Sequence, residues 1–155
     1  MASIHVLERR QRVQVPIDEA FAFYGDARNL ERITPPLLGF ELTTPGPIEM
    51  GVGTLIDYRL RLHQVPVRWR TRIEAWEPPR RFVDAQIKGP YSLWEHTHTF
   101  EEDGPGATII EDRVRYSIPF GPLGEFANRV LVRRDLRQIF DYRRDAVARE
   151  MASRT

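Results

Sequence analysis

The sequence predicts an α+β fold in which a curved antiparallel sheet is closed by one long C-terminal helix. Two strand-like runs, residues 91–101 and 107–118, precede an uninterrupted helical pattern from about Pro122 to Met151. That pattern spans about 30 residues, or roughly 45 Å of helix, and we expect its apolar stripe to lie on the sheet. A lone helix that follows a meander of strands encloses a hollow more readily than it fills a solid core. We therefore expect one domain, residues 1–155, with an internal cavity.

The N-terminal third predicts one strand and two short helices. Alternating apolar residues from Ile4 to Val15 indicate a strand of about ten residues, which ends at Pro16 because a helix can begin there. Helical spacing of apolar residues predicts a helix over residues 18–24. Asp26 is a candidate cap for a second helix over residues 27–33, and the prolines at 35 and 36 prevent its continuation.

From residue 40 onward the hydrophobic period becomes two, which is typical of strands with one solvent-exposed face. Turn signals at residues 51–53, 63–64, 77–79, 89–90 and 103–106 divide this region into hairpins. Together with the first strand they predict a seven-stranded meander in the order β-α-α-β-β-β-β-β-β-α. The uncharged residues that alternate with charged ones in the two clearest runs are Ile56, Tyr58, Leu60 and Leu62, and Val65, Val67, Trp69, Thr71 and Ile73.

Composition excludes several classes of function. The formal net charge of +1 removes the main compositional argument for nucleic-acid binding. Without cysteine, the chain has no disulfide, thiolate metal site or cysteine nucleophile. The glycines at residues 51–53 lack the helix and lysine of a phosphate loop. The N-terminus has no hydrophobic run of signal-peptide or membrane-spanning length, so we expect a cytoplasmic protein without stable membrane insertion.

Three motifs carry a resemblance to a known superfamily. They are Phe82-x-Asp84-x-Gln86-x-x-Gly89-Pro90-Tyr91, Trp94-x-His96-x-His98-x-Phe100, and Asp112-Arg-Val114-x-Tyr116-x-Ile-Pro119-Phe-Gly121-Pro122-Leu123-Gly124. With these motifs and this element order, nearly the whole chain resembles the START-related, pollen-allergen-like helix-grip superfamily (SRPBCC). The three motifs look like those of its bacterial ligand-binding or polyketide cyclase/dehydrase-like branch. The resemblance implies a helix-grip fold, a role in ligand binding or polyketide cyclisation, and no metal.

The histidine-containing strand is the main candidate for chemistry. Trp94, His96 and His98 occupy alternate positions, so their side chains share one face of the sheet. Imidazoles at i and i+2 lie about 7 Å apart and could bind one metal if Asp84 or Asp112 supplied a third ligand. Alternatively, a carboxylate could tune one ring for proton transfer, or the groups could only satisfy each other's hydrogen bonds. Because no third histidine is nearby in sequence, we expect no metal and no cofactor.

The strand over residues 82–87 leaves two readings of its inner face. Alternation of apolar residues favours Val83, Ala85 and Ile87 as inward-facing. The family-like motif instead favours Phe82, Asp84 and Gln86. We favour Asp84 and Gln86 as residues that line the cavity.

The predicted ligand-binding set combines aromatic rings of the inner face with polar groups of the same strands. Such rings form core more often than ligand platforms, and a hollow fold makes both roles possible. Arg59 is included because it could turn inward to a ligand carboxylate, although its alternating charged row also fits an exposed position. The set is Tyr58, Arg59, Trp69, Asp84, Gln86, Trp94, His96, His98, Asp112 and Tyr116.

Four arginines on the last helix could hold a phosphate or contact a membrane surface. Nearby acids instead favour ordinary pairing between residues i and i+4. The arginines are Arg129, Arg133, Arg134 and Arg137, and the acids are Glu125, Asp135, Asp141 and Asp145.

We predict that the protein binds a small hydrophobic or aromatic molecule in a cavity between the sheet and the last helix, with a few polar groups that set its orientation. One alternative is a polyketide cyclase or dehydratase that uses a His/Asp proton relay. Another is a partner-binding module whose arginine-rich helix is the interface. The sequence leaves open the ligand, the occurrence of catalysis and the oligomeric state.

Overall fold

The computed structural model describes residues 3–154, which form one antiparallel sheet with a long helix packed on it. The strands are β1 (His5–Val13), β2 (Glu41–Leu42), β3 (Leu55–Leu62), β4 (Val65–Glu77), β5 (Arg81–Lys88), β6 (Leu93–Glu102) and β7 (Thr108–Ser117). The helices are α1 (Ile17–Tyr24), α2 (Leu30–Ile33) and the long α3, which joins the segments Gly121–Ala127, Asn128–Val132 and Arg133–Ala152. Short 3-10 turns lie at Ala27–Asn29 and Pro36–Leu38.

The sheet has seven strands in the order β1-β7-β6-β5-β4-β3-β2, and every neighbouring pair is antiparallel. Strands β2 to β7 form a meander, and β1 closes it against β7. This arrangement confirms the predicted α+β class, the curved seven-stranded sheet and the short helices after the first strand. The predicted cap is also present, because the Asp26 carboxylate accepts a hydrogen bond from the Arg28 amide at 3.0 Å.

Helix α3 is continuous, as predicted, but its middle segment is a π-helix over Asn128–Val132. The wide turn accompanies a buried polar residue, since the Asn128 side chain accepts a hydrogen bond of 3.0 Å from the Tyr116 hydroxyl. The expectation that the whole apolar stripe lies on the sheet is wrong for the first half of the helix. Four of its apolar side chains are exposed there, and the buried face begins at Leu136 and continues through Phe140 and Val147. The exposed four are Leu123, Phe126, Val130 and Leu131.

Three apolar clusters surround a hollow instead of merging into one core. The largest joins α1 to the sheet and the end of α3, the second joins β7 to the middle of α3, and the third lies on β3 and β4. Their central members are Phe21, Phe82, Phe100 and Val147; Val114, Tyr116 and Phe140; and Ile56 and Ile73. Among the described residues, no helix is long and apolar enough to cross a membrane.

Gly124 allows the turn after β7 to lie against the first turn of α3. A Cβ at this position would overlap the backbone carbonyl oxygen of Pro119. We expect Gly124→Ala to destabilise the protein by about 1–3 kcal/mol, because neither backbone segment can move without displacing the start of the helix. Chemical denaturation measures this change. Gly51→Ala is the matched control, since a Cβ there meets open space; equal stability of the two variants would contradict the prediction.

Candidate functional site

A cavity lies between the sheet and helix α3. It holds about 160 Å³ of space that the centre of a water molecule can reach. This is roughly ten times what a single water needs, so the hollow can hold an organic molecule. Its walls are mainly aromatic and aliphatic, and they include Tyr58, Trp69, Phe82, Trp94 and Phe140.

Polar side chains from three adjacent strands meet at one side of this cavity. The His98 Nε2 lies 2.7 Å from Asp84 Oδ2, and the His96 Nε2 lies 2.8 Å from Asp112 Oδ1. Both contacts are diagonal, because His96 is directly opposite Asp84 and His98 is directly opposite Asp112 in the strand register. Each histidine therefore has its own carboxylate, one on each neighbouring strand.

The two imidazole rings are packed tightly and have almost no contact with solvent. His96 is 4% exposed and His98 is 2% exposed. The rings stack with centroids 3.7 Å apart, and Phe82 covers the other face of His98 at 4.0 Å. The His98 Nδ1 is buried without a hydrogen bond, 3.4 Å from Asp112 Oδ1. This packing fixes both rings before any ligand enters.

Arg143 extends from α3 over the same group. Its Nη2 lies 3.9 Å from Asp112 Oδ1, and its guanidinium carbon lies 5.4 Å from the Tyr24 ring and 5.6 Å from the Phe140 ring. The side chain is 13% exposed, yet Nε and Nη2 are buried without hydrogen-bond partners. A buried donor without a partner costs about 1–3 kcal/mol, so this edge of the guanidinium is a place where a ligand acceptor or a water would bind.

The pKa values of the two histidines are shifted in opposite directions. Burial, followed by the charge on His98, lowers the pKa of His96 to about 4, although Asp112 accepts its hydrogen bond. Burial also disfavours a charge on His98, but its two carboxylate neighbours outweigh this effect and raise its pKa. The pKa values of Asp84 and Asp112 are lowered, because the histidines and Arg143 outweigh the cost of burial. When His98 is protonated, two negative and two positive charges balance and His96 is neutral.

Asp84, His96 and His98 form the group in the described chain whose ligand atoms lie close enough to hold a metal, all within 4.8 Å of one another. Two histidines and one carboxylate match the protein ligands of a catalytic zinc site in type and number. A metal would, however, require an unprotonated His98, whereas the raised pKa of His98 favours its protonated form. The absence of a metal remains a prediction.

The structure brings most of the predicted site residues together. Tyr58, Trp69 and Trp94 line the cavity with the polar residues Asp84, His96 and His98. Asp112 lies behind the two histidines and is buried. Tyr116 is also buried, but it packs behind the cavity wall and binds Asn128.

Two predicted residues lie elsewhere. Arg59 is exposed and pairs with Glu41 on β2, with Nε and Nη2 at 3.1 and 3.0 Å from Oε2, so it does not turn into the cavity. Gln86 bonds the backbone of Tyr91, donating to its carbonyl and accepting from its amide, and so closes the turn between β5 and β6. The motif was nevertheless a better guide than alternation on β5, since Asp84 faces the cavity and Ile87 is exposed.

Sequence reasoning missed Tyr24, Thr71 and Arg143. Thr71 joins two cavity rings, because its Oγ1 lies 2.9 Å from the Tyr58 hydroxyl and 3.1 Å from the Trp69 indole nitrogen. Arg143 had a visible signal. It lies three residues after Phe140 and so continues the buried apolar stripe, where an arginine needs a buried partner.

A curved sheet that grips one long helix around a hollow, with polar groups inside, defines the helix-grip class of proteins. The chain belongs to the family described as "Polyketide cyclase / dehydrase and lipid transport", whose model matches residues 5–152. None of the curated proteins compared with the chain is a significant match.

Solved structures agree with this fold. The Zhui aromatase/cyclase from Streptomyces sp. R1128 has a TM-score of 0.78 at 16% identity, with 98% of this chain and 96% of that chain covered. Norcoclaurine synthase from Thalictrum flavum, solved with dopamine and hydroxybenzaldehyde, has a TM-score of 0.70 at 17% identity, with 99% of this chain and 90% of that chain covered. A START superfamily protein from Mycobacterium smegmatis has a TM-score of 0.72 at 9% identity, with 97% of this chain and 99% of that chain covered. At these identities the likeness concerns the fold alone.

We expect the free energy of unfolding to decrease on both sides of the near-neutral range. Unfolded histidine takes up a proton near pH 6.5, whereas folded His96 resists protonation down to about pH 4, so acidification between these values favours unfolding by up to about 3 kcal/mol. His98 has the opposite sign. Its raised pKa contributes stability that is complete below pH 6.5 and lost as the pH rises through the folded pKa.

Urea unfolding from pH 4 to pH 9 checks this dependence in three variants. His96→Gln should remove most of the decrease in the free energy of unfolding below pH 6.5. His98→Gln should remove the decrease at alkaline pH. It should also make the decrease at acid pH smaller, because the charge on His98 contributes to the low pKa of His96. His63→Gln is the control, because its ring is 55% exposed and its 2.6 Å contact with Asp135 is a surface pair that contributes at most about 1 kcal/mol. Unchanged slopes in both buried-site variants would contradict the assignment.

Proposed function

We propose that the protein binds a small hydrophobic or aromatic molecule in the cavity between the sheet and α3. The supporting observation is the combination of an aromatic-walled hollow with a buried polar group at one side. Cavities of this kind bind by apolar contact, and a few fixed polar groups set the orientation of the ligand. The pre-packed imidazoles and Arg143 would serve as those fixed groups.

The open edge of Arg143 suggests the chemistry of the ligand's polar end. Nε and the adjacent Nη2 present parallel N–H groups, the same edge with which Arg70 holds the Asp57 carboxylate at 2.7 and 3.2 Å. At Arg143 the nearby Asp84 and Asp112 already balance the positive charges. A neutral acceptor such as a ketone oxygen fits this edge, whereas a carboxylate would add an uncompensated buried charge.

We expect three naphthalene derivatives to bind in a defined order. 2-Acetylnaphthalene should bind more tightly than 2-ethylnaphthalene by about 1.5–3 kcal/mol, because its carbonyl accepts a hydrogen bond from a charged donor. 2-Naphthoate should bind less tightly than the ketone because of its charge. Quenching of Trp69 and Trp94 fluorescence measures all three affinities.

Arg143→Lys tests the role of the guanidinium edge and keeps the charge near Asp112. It should reduce the preference for the ketone and leave the affinity for 2-ethylnaphthalene nearly unchanged. Arg59→Lys is the matched control, because that arginine is exposed outside the cavity. Equal affinities of the wild-type protein for all three compounds would contradict the proposed polar end, and a lack of saturable binding would contradict the binding function itself.

Proton transfer on a polyketide-like substrate is a second candidate function. The observation in its favour is His98, a buried imidazole with a raised pKa between two carboxylates, at the cavity wall. Such an imidazole can give or take a proton near neutral pH. The binding function ranks first, because the described cavity wall contains no serine or cysteine nucleophile. The contacts of His96 with Asp112 and of His98 with Asp84 are also explained by hydrogen-bond satisfaction.

His98→Gln separates the two functions, since glutamine keeps hydrogen-bonding capacity but cannot titrate. If the protein only binds, ligand affinity should change by no more than about 0.5–1.5 kcal/mol. If it catalyses, turnover of a poly-β-ketone substrate should decrease about 10²–10⁴-fold, and one ionisation should disappear from the pH–rate profile. We expect the first result; a wild-type turnover that collapses in His98→Gln but persists in His63→Gln would reverse the ranking.

A further inference from the structure

We propose that the first half of helix α3 is a docking surface for an anionic lipid bilayer. Its central feature is a row of five side chains, Leu123, Phe126, Val130, Arg134 and Arg137, which we call the apolar–basic row. All five side chains are exposed, and successive members are three or four residues apart, so each lies about one turn from the next. The row therefore changes from apolar to basic along the exposed surface of the helix, across the π segment.

The apolar members of the row are exposed to a degree that is unusual for their size. Leu123 is 70% exposed, Phe126 is 60% exposed and Val130 is 56% exposed. Contiguous exposed apolar side chains of this kind mark an interaction surface on a soluble domain. The expected packing of these residues on the sheet is replaced by Asn128, which occupies the inward face of the π segment.

The turn before the helix extends the same apolar surface. Phe120 is 79% exposed and has a φ of +75°, in the left-handed region that a bulky residue rarely adopts. Backbone strain of this kind costs about 1–3 kcal/mol and persists only where the surrounding structure fixes it. Here the strained turn holds an aromatic ring in solvent at the end of the apolar–basic row.

The basic members of the row lack acidic partners. The acids of this segment are used by histidines from other elements: Glu125 lies 3.1 Å from His5 Nε2, and Asp135 lies 2.6 Å from His63 Nε2. The expected pairing of these acids with arginines one turn away is therefore wrong. Within residues 3–154, Arg129, Arg134 and Arg137 form no ion pair.

An anionic bilayer fits this surface better than a second copy of the chain. Apolar side chains would enter the acyl boundary while arginines bind lipid phosphates, the combination typical of interfacial helices. A second copy would present the same arginines without acids to meet them. The basic character is also local, because the formal net charge of the whole chain is only +1.

Co-sedimentation with phosphatidylcholine vesicles, with and without phosphatidylserine, tests the proposal on the full chain. The wild-type protein should bind the phosphatidylserine-containing vesicles and dissociate as salt is added. Arg134→Gln with Arg137→Gln should weaken partitioning about 30-fold at low salt, since each arginine near an anionic surface contributes a factor of about five. Phe126→Ser with Val130→Ser should weaken it by a comparable amount without loss of fold, because both side chains are exposed.

Arg61→Gln with Arg68→Gln is the charge-matched control, because both arginines are exposed on the sheet hairpin and the net charge changes equally. Retained binding in this control supports a localised surface. The proposal is overturned if the wild-type protein ignores anionic vesicles, or if the control loses as much binding as the row variant. It is also overturned if light scattering shows a dimer that Phe126→Ser with Val130→Ser dissociates, since the row would then be an interface between copies.

Discussion

The need to compensate buried charge is the constraint on which the rest of this structure depends. Two carboxylates, two imidazoles and one guanidinium are removed from water on one wall of a cavity, and each would be costly alone. They are tolerated because they come from different elements in fixed register. Asp84, His96, His98 and Asp112 lie on three adjacent strands, and Arg143 reaches them from the helix.

This compensation ties the helix to the sheet at the place where apolar packing is interrupted. A cavity removes the side-chain contacts that would otherwise fix α3, so the ion pair from Arg143 and the hydrogen bond from Tyr116 to Asn128 supply specific anchors on either side of it. Arg143 lines the cavity and keeps two buried nitrogens, Nε and Nη2, without hydrogen-bond partners. The same groups that position the helix therefore prepare a polar end for a ligand.

Hydrophobic periodicity in the sequence predicted the fold and the inward face of β6. Antiparallel strands with one solvent-exposed face have a period of two residues, and a long amphipathic helix has a period of about 3.6. The motif identified Asp84 as inward-facing where alternation alone pointed to its neighbours. Arg59 and Gln86 were wrongly predicted to line the cavity, because local sequence patterns do not show which group a polar side chain will bind. Arg59 pairs with Glu41 on the two-residue edge strand β2, and Gln86 bonds the backbone of the turn that follows its own strand. Arg143 was missed because the pairing of a helix residue with strand residues depends on the tertiary approach of the two elements.

The long helix divides into two parts with different environments. From Leu136 onward it covers the sheet and lines the cavity, whereas Leu123, Phe126, Val130 and Leu131 before it are exposed. The π segment lies at this division, and the wide turn shifts the phase of the apolar stripe, so a pattern that looks continuous in sequence faces two directions in space. A stripe that serves only the core would have no reason to continue through the exposed half. Its continuation there as exposed apolar and then basic residues is the physical argument behind the proposed docking surface.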